Sequence, residues 1–299
     1  MSLNKPIWKL KDWIEIERLD LEILSVNPNA IDFLIENPDM IDWETLSSNP
    51  NAIELLEKNQ DKIDWYFLSL NPNAIHLLEK NLDKINWNYL CENPRGIEIL
   101  KNYPDKIDWG LLCCYISDMN FLRKNFENIS WNNLSGNPNA IELLKENKCF
   151  IDRDNLLSNE NAIELIKEQK YYKYNKDWFH LSRNKNAIEL LKKQQDKINW
   201  YGLSLNHSEE ALKILLENPE KINWNRLAEN PFAIDVLFKN QNKFNYYGFS
   251  SNPAIFELDY EAMRKNNQEI YEELIKEVMK PSRVFRNPNY DYIEELFGD

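Results

Sequence analysis

The sequence predicts an all-α solenoid of about eleven two-helix repeats, each about 22 residues long. An Asn, usually followed by Pro, recurs at intervals of mostly about 22 residues, and an aromatic residue stands six positions before it. A fixed period of this size is typical of repeat architectures, in which each unit packs mainly on its neighbours. We therefore expect one elongated stack and not two globular domains.

Two columns of residues define the repeat. The Asn column comprises Asn27, Asn49, Asn71, Asn93, Asn137, Asn159, Asn184, Asn206, Asn230 and Asn252, with Tyr115 in the same position of the fifth copy. The aromatic column comprises Trp43, Trp65, Trp87, Trp109, Trp131, Trp178, Trp200, Trp224 and Tyr246, with Leu21 and Arg153 as exceptions. We predict that the Trp side chains stack in a core ladder, and that the Asn side chains, including Asn49, Asn71, Asn93 and Asn137, cap helices.

One regular unit illustrates the local prediction. Asp64 can cap a short first helix that begins at Trp65. Asn71 can cap a second helix, with Pro72 in its first turn, where a missing N–H costs nothing. Helices this short are marginal alone, so we expect each repeat to be stabilised by packing on the next.

A leucine-rich horseshoe is the competing fold, because a period of about 22 residues lies within its range and Leu68-Ser69-Leu70-Asn71 resembles its strand pattern. The position of Leu70 decides against it. Equivalent positions hold residues such as Glu92 and Arg183, which a buried strand column does not tolerate. Pro after the Asn also favours the start of a helix.

The ends of the chain fall outside the period. We predict an N-terminal cap over residues 1–19, the repeats over 20–254 and a helical C-terminal cap over 255–299. Atypical end segments are what an open solenoid needs to shield its terminal apolar faces.

Composition narrows the compartment and the class of partner. The net charge of −13 opposes binding to nucleic acid and favours a basic protein partner. No apolar stretch is long enough for a membrane span, and the first residues do not form a signal peptide. We expect a soluble, intracellular protein, with a homo-oligomer left open.

The sequence contains no recognisable catalytic, cofactor or metal motif. The three histidines are isolated, and the six glycines form no phosphate-binding loop. The candidate protein-binding surface consists instead of aromatics that follow the Trp column and vary between repeats. These residues are Tyr66, Phe67, Tyr89, Phe179 and Tyr201. Variation on a regular scaffold is typical of binding surfaces, although partial burial in the core is the other interpretation.

The unit from Ile63 to Asn81, repeated from Ile41 and from Ile85, resembles the large paralogous repeat families of giant DNA viruses related to mimivirus and megavirus. The resemblance covers about residues 20–254 through its Trp, Asn-Pro and Ala-Ile elements. It implies an expanded viral protein set made in infected amoebae, with a protein-interaction role and a location in the host cytoplasm. It implies no activity and no site residues.

These observations predict a non-enzymatic scaffold that binds protein along its variable face. A structural or self-assembling virion component is the alternative, because an open stack can add units end to end. An enzyme without a recognisable motif is the third class.

Overall fold

The fold is the predicted all-α solenoid. The computed structural model describes residues 6–170 and 174–279. A typical repeat contains a first helix, a turn at the Asn, a second helix and a short 3-10 helix that leads into the next repeat. This order follows from the sequence, because a capping Asp or Asn precedes most first helices and its side chain accepts a backbone N–H three residues on, as Asp64 does from Phe67 at 2.9 Å.

The helices follow the predicted period. The first helices of repeats 1 to 11 are Leu21–Ser25, Trp43–Leu46, Trp65–Leu70, Trp87–Glu92, Trp109–Tyr115, Trp131–Ser135, Arg153–Ser158, Asn175–Arg183, Trp200–Ser204, Trp224–Leu227 and Tyr246–Ser250. The second helices of repeats 1 to 10 are Ile31–Glu36, Ile53–Lys58, Ile75–Glu79, Ile97–Leu100, Met119–Lys124, Ile141–Glu146, Ile163–Gln169, Ile188–Lys193, Glu209–Leu216 and Ile234–Phe238. The 3-10 helices are Ile16–Arg18, Pro38–Met40, Gln60–Lys62, Leu82–Lys84, Pro104–Lys106, Phe126–Asn128, Lys148–Phe150, Lys185–Ala187, Gln195–Lys197, Pro219–Lys221, Pro231–Ala233 and Pro253–Ile255.

Two strands, Trp8–Leu10 and Phe256–Leu258, pair in a small sheet, and a longer helix covers Tyr260–Val278. The chain divides into two compact units. The larger unit is Leu10–Phe256 and contains the repeats. In the smaller unit, the backbone N–H of Asp259 donates to the carbonyl of Ile7 at 2.8 Å.

The innermost core is a column of leucines, three residues after the Trp position. Leu68 and Leu90 are 0% exposed. Trp178 is also buried, at 5% exposure, but the rest of the predicted Trp core ladder is half-buried. The half-buried members are Trp43, Trp65, Trp87, Trp109, Trp131, Trp200 and Trp224.

The predicted stacking of Trp on Trp is wrong for the described residues. Ring stacking requires centroids about 4.5–7 Å apart, whereas neighbouring helix axes lie about 8–10 Å apart. Other side chains cover the indoles instead. The ammonium of Lys84 lies 4.4 Å from the Trp65 ring centroid, and Phe150 stacks on Trp131 with centroids 4.9 Å apart.

The Asn column forms hydrogen bonds between repeats, and its predicted helix-capping role is wrong in the regular units. The amide of Asn71 donates to the carbonyls of Ser47 and Asn49 in the preceding repeat, at 3.0 and 2.8 Å. Its side-chain oxygen accepts the N–H of Asn73 and closes a tight turn. The second helix begins only at Ile75, and Ala74 at its N-cap position forms no side-chain capping hydrogen bond. The same correction applies to Asn49, Asn93 and Asn137.

A second set of inter-repeat bonds uses the residue after the core leucine, which is usually Ser. The hydroxyl of Ser47 accepts the backbone N–H of Asp64 in the next repeat at 3.0 Å. The hydroxyl of Ser69 accepts that of Asn86 in the same way. Each junction therefore satisfies buried polar groups with partners from the adjacent repeat, which fixes the spacing of the stack.

The repeats close into a ring, which corrects the prediction of an elongated stack. The amide of Asn27 in repeat 1 donates to the carbonyls of Ser250 and Asn252 in repeat 11, at 3.0 and 3.1 Å. The hydroxyl of Ser250 accepts the backbone N–H of Asp20 at 2.9 Å. The bonds that join neighbours therefore also join the last repeat to the first, so within residues 10–256 the series has no free end.

The first helices form the inner layer of this ring. Consecutive first helices pack directly on one another, and the first helix of repeat 1 packs on that of repeat 11, whereas contacts between consecutive second helices are sparser. Because a ring has less room on its inside, the more closely packed layer lies there. One side of each first helix therefore remains open towards the centre of the ring.

The segment before the repeats packs on repeats 10 and 11. The Trp13 ring lies 5.1 Å from that of Phe238 and 5.8 Å from that of Phe249, measured between centroids. Residues 1–5 of the predicted N-terminal cap, and 280–299 of the predicted C-terminal cap, lie outside the described residues. The division into two caps remains a prediction, but a closed ring has no terminal faces for caps to cover.

Candidate binding face on the first helices

The open side of each first helix carries the residues one, two and five positions after the Trp position, here called the inner face. All five predicted surface aromatics belong to it. Tyr66 is 61% exposed and Tyr201 is 42% exposed. Phe67, Tyr89 and Phe179 are half-buried. The alternative that these rings belong to the core is therefore wrong for the two exposed tyrosines and partly right for the other three.

Neighbouring repeats meet along this face in a regular way. The residue one position after the Trp position contacts the residue two positions after it in the next repeat. The hydroxyl of Thr45 donates to the backbone carbonyl of Glu22 at 3.0 Å. The side-chain amide of Asn133 donates to the backbone carbonyl of Gly110 at 3.0 Å. The inner face is thus a continuous surface whose side chains change from one repeat to the next.

The aromatics of repeats 3 and 4 form one cluster, here called cluster 3/4. The Tyr66 and Tyr89 rings meet edge to face with centroids 6.3 Å apart. Phe67 lies 6.3 Å from Tyr89 on the same basis. An open groove of about 700 Å³ adjoins the cluster and is lined by Tyr66, Trp65 and Trp87. Exposed aromatic edges and faces beside a groove are suited to apolar and cationic side chains.

The aromatics of repeats 8 and 9 form cluster 8/9, which is already engaged within the chain. The Phe179 and Tyr201 rings lie 6.1 Å apart between centroids. The Tyr201 hydroxyl accepts a hydrogen bond from Nε of Arg226 at 2.8 Å, and the guanidinium carbon lies 5.4 Å from the ring centroid. Arg226 also pairs with Glu229 at 3.2 Å. Cluster 8/9 therefore has a cation on one of its own rings, whereas among the described residues no cation lies over the rings of cluster 3/4; Lys84, which lines the groove, covers Trp65 instead.

The two clusters lie on nearly opposite sides of the ring. They are separated by five repeats in one direction and six in the other, among eleven. Sequence analysis placed all five aromatics in one candidate surface. The structure separates Tyr66, Phe67 and Tyr89 from Phe179 and Tyr201.

Carboxylates differ between the inner and outer layers. On the outer helices, Glu142 and Glu164 are strongly exposed, and each pairs with a lysine three residues later. On the inner face, Glu22 and Glu44 are exposed and form no ion pair among the described residues. Repeats 1 and 2, which precede cluster 3/4, therefore carry two inner-face carboxylates that form no ion pair within residues 6–170 and 174–279.

Arg153, which replaces Trp in repeat 7, forms the most buried ion pair of the described residues. Its guanidinium bonds to Asp177, which is 0% exposed, and lies 5.1 Å from the Tyr174 ring centroid. The carboxylate of Asp177 also accepts the backbone N–H of Tyr174 at 2.7 Å. The charged pair thus joins repeats 7 and 8 across the insertion and fills the place of the missing indole.

The inner face also contains polar residues that sequence reasoning did not combine. Ser158, His180 and Arg183 line one pocket. Ser158 belongs to repeat 7, whereas His180 and Arg183 belong to repeat 8, so only the repeat register brings them together. The repeat register was the available signal in the sequence. His180 stands two positions after Trp178 and Ser158 stands five positions after Arg153, so the two residues occupy inner-face positions of neighbouring repeats.

The described residues contain no group of three or more His, Cys, Asp or Glu side chains placed to hold a metal ion. None of the described helices is both long and apolar enough to cross a bilayer. Comparison with known protein families, curated proteins and solved structures finds no match to this chain.

Proposed function

We propose that the protein is a non-enzymatic scaffold that binds a basic polypeptide segment on the inner face of repeats 1 to 4. The observation that carries the proposal is the Tyr66–Tyr89 ring pair of repeats 3 and 4, together with two exposed carboxylates of the preceding repeats, Glu22 and Glu44, which form no ion pair among the described residues. Lys and Arg side chains combine an apolar stem with a cation, so they suit a surface of aromatic rings and carboxylates.

The ring offers room for such a segment. Eleven first helices about 9 Å apart place their axes on a circle about 30 Å across. Side chains extend about 5 Å from each axis, which leaves an opening of about 20 Å. A single helix with its side chains is about 10–12 Å wide, so one helix or one extended strand fits against the inner face.

The test uses fluorescein-labelled deca-lysine and fluorescence anisotropy. Replacing both inner carboxylates, Glu22→Gln with Glu44→Gln, should weaken binding about tenfold, or about 1.4 kcal/mol. Tyr66→Ser, at the exposed ring of the pair, should weaken it by a similar factor without lowering the melting temperature.

The matched control is Glu142→Gln with Glu164→Gln, which removes the same charge from the outer layer. Binding within twofold of the unmodified protein is expected for this control. Equal weakening by the inner and outer pairs would show that net charge alone attracts the peptide, and would contradict a site on repeats 1 to 4.

The alternative function, a structural or self-assembling virion component, rested on free ends that add units. A closed series of repeats removes that reason, so no specific observation now favours it. A molar mass by light scattering that stays at one chain across concentrations is expected. The resemblance to giant-virus repeat families supports placing the binding partner in the cytoplasm of an infected host.

A further inference from the structure

A pocket of about 320 Å³ lies where repeats 6, 7 and 8 meet, at the ends of their first helices. Its walls include Gly136, Pro138, Ser158, Glu160, His180 and Arg183. It is separate from cluster 3/4, and the basic polypeptide of the proposed function does not require it.

The pocket exists because repeat 6 has a glycine where other repeats have a side chain. The equivalent positions of Gly136 hold Leu70 in repeat 3, Glu92 in repeat 4 and Cys114 in repeat 5. A Cβ added at Gly136 would lie 3.5 Å or more from its nearest neighbours. These distances are ordinary van der Waals contacts, so a Cβ fits at this position without moving the backbone.

Arg183 supplies a positive charge that is paired with no carboxylate in the part of the chain that the structure describes. Its side chain is exposed and forms no ion pair among the described residues. The pocket's own carboxylate, Glu160, is paired with Lys185 at 2.8 Å. The site therefore carries one uncompensated cation in a chain whose net charge is −13. A guanidinium presents N–H donors in a planar fork that matches the two oxygens of a carboxylate.

Ser158 and His180 add a hydrogen-bond donor in either tautomer of the imidazole. The Ser158 hydroxyl oxygen lies 2.8 Å from Nδ1 of His180. If the hydroxyl donates to Nδ1, the imidazole N–H is at Nε2 and is free to donate. If Nδ1–H donates to the hydroxyl oxygen, the hydroxyl hydrogen is free. Burial lowers the pKa of His180; Asp154 opposes this shift and Arg183 adds to it, so the net change favours the neutral ring, which adds no second full charge.

The same Ser–His pair is the arrangement of a nucleophile and its base, but its surroundings favour binding. A catalytic histidine is normally oriented by a carboxylate. Two carboxylates, Asp154 and Asp177, raise the pKa of His180. Both already form ion pairs with other residues: Asp154 with Lys176 at 2.7 Å, and Asp177 with Arg153.

We propose that this pocket binds a carboxylate group, held by the guanidinium of Arg183 and by the donor that the Ser158–His180 pair leaves free. One full cation beside a paired Glu160 suits a monoanion better than a phosphate dianion. The ligand is either a small carboxylic acid or the C-terminal carboxylate of a polypeptide, which share this chemistry.

The test exploits the small number of histidines, which is three. The full chain, labelled at histidine with ¹³C and ¹⁵N, is titrated at pH 7.5 and constant ionic strength with acetate, acetyl-Gly-Gly, acetyl-Gly-Gly-amide and inorganic phosphate. We expect saturable shifts of the His180 ring with both carboxylates and none with the amide. Tighter saturation by acetyl-Gly-Gly than by acetate supports a C-terminal carboxylate, and equal saturation supports a small acid.

Two variants establish where binding occurs. Gly136→Leu, which introduces the residue that repeat 3 carries, should abolish the shift by filling the pocket while the melting temperature is kept. Arg183→Gln should weaken binding about tenfold. Arg95→Gln, which removes an exposed arginine elsewhere, should leave binding unchanged. Stronger shifts with phosphate than with carboxylates, equal shifts at His76, or unchanged binding in the first two variants would each overturn the proposal.

Discussion

Repeats 1 to 4 and repeats 8 to 10 differ in how many hydrogen bonds the column Asn forms with the preceding repeat. In repeats 1 to 4 the amide of each column Asn donates to two carbonyls of the preceding repeat. In repeats 8 to 10, Asn184, Asn206 and Asn230 each donate to one. The spacing between consecutive column Asn residues is also longer in this region: 25 residues from Asn159 to Asn184 and 24 residues from Asn206 to Asn230.

Inserted residues reduce the number of Asn hydrogen bonds between repeats but leave the buried leucine column unchanged. Leu181, Leu203 and Leu227 remain 0% exposed, so the leucine column continues through the lengthened region while half of the amide bonds there are lost. The ring stays closed because the core register is kept. Cluster 8/9 lies in the loosened region, and the Ser158–His180–Arg183 pocket adjoins it at repeat 8.

The largest expected difference between the two regions concerns tryptophan. Trp178 in repeat 8 is buried, and Trp65 in repeat 3 is half-buried under Lys84. Trp178→Ala should lower the free energy of unfolding by about 3–5 kcal/mol, and Trp65→Ala by about 1–2 kcal/mol. Urea unfolding followed by circular dichroism measures both. Equal losses would mean that the Trp column is one uniform core ladder after all.

The Asn column should show the reverse order. Asn71→Ala removes two amide bonds and leaves buried carbonyls without a donor, so it should cost about 2–3 kcal/mol. Asn206→Ala removes one such bond and should cost about 1–2 kcal/mol. The same urea experiment applies. A larger loss for Asn206 would contradict the idea that the insertions loosen this set of bonds.

Two glycines give a matched test of how tightly the repeats approach. A Cβ at Gly202 in repeat 9 would lie 2.6 Å from the carbonyl oxygen of Phe179, so Gly202→Ala should cost about 1–3 kcal/mol. A Cβ at Gly136 in repeat 6 would make only ordinary van der Waals contacts, so Gly136→Ala should stabilise the fold by about 0.4–1 kcal/mol by restricting the unfolded chain. Differential scanning calorimetry should therefore show melting temperatures that move in opposite directions.

The smallest effect is the contribution of His180 in repeat 8 to the pH dependence of stability, to which His207 in repeat 9 also contributes through a lowered pKa. Burial lowers the pKa of His180 in the folded state below its usual value of 6.5. The unfolded chain then binds more protons in that window, so stability is full above about pH 6.5 and declines as pH falls towards the folded pKa. His180→Gln should remove this part of the decline. An unchanged profile between pH 7 and 5 would contradict the prediction.

The period, the helical class and the position of the first helices could be predicted from the sequence, because Trp65, Asp64 and Leu68 act within one repeat. The role of Asn71 could not, since its acceptors lie 22 and 24 residues earlier and a capping role explains the same residue locally. The Ser column, with Ser47 and Ser69, was an available signal: a small hydroxyl recurs beside a fully buried leucine, and it proved to join repeats.

Ring closure could not be predicted either, because it depends on the small rotation between neighbouring repeats. The length of the repeat determines which side chains of neighbouring repeats meet. The rotation between those repeats depends on how closely the first helices pack relative to the second helices. The five candidate aromatics lie on the inner face, and their role in binding stays a prediction. They form two clusters because they belong to repeats 3 and 4 and to repeats 8 and 9; Arg226, which contacts Tyr201 from the next repeat, distinguishes the second cluster.

The most direct test of the account measures whether repeat 1 lies beside repeat 11. Nitroxide labels at Glu22→Cys and Tyr247→Cys, in a background carrying Cys114→Ser and Cys149→Ser, occupy equivalent positions of these two repeats. Continuous-wave electron paramagnetic resonance should show the same dipolar broadening as the neighbouring pair Glu22→Cys and Glu44→Cys. The distant pair Glu22→Cys and Asn132→Cys should show none. Absence of broadening in the first pair would contradict a closed ring.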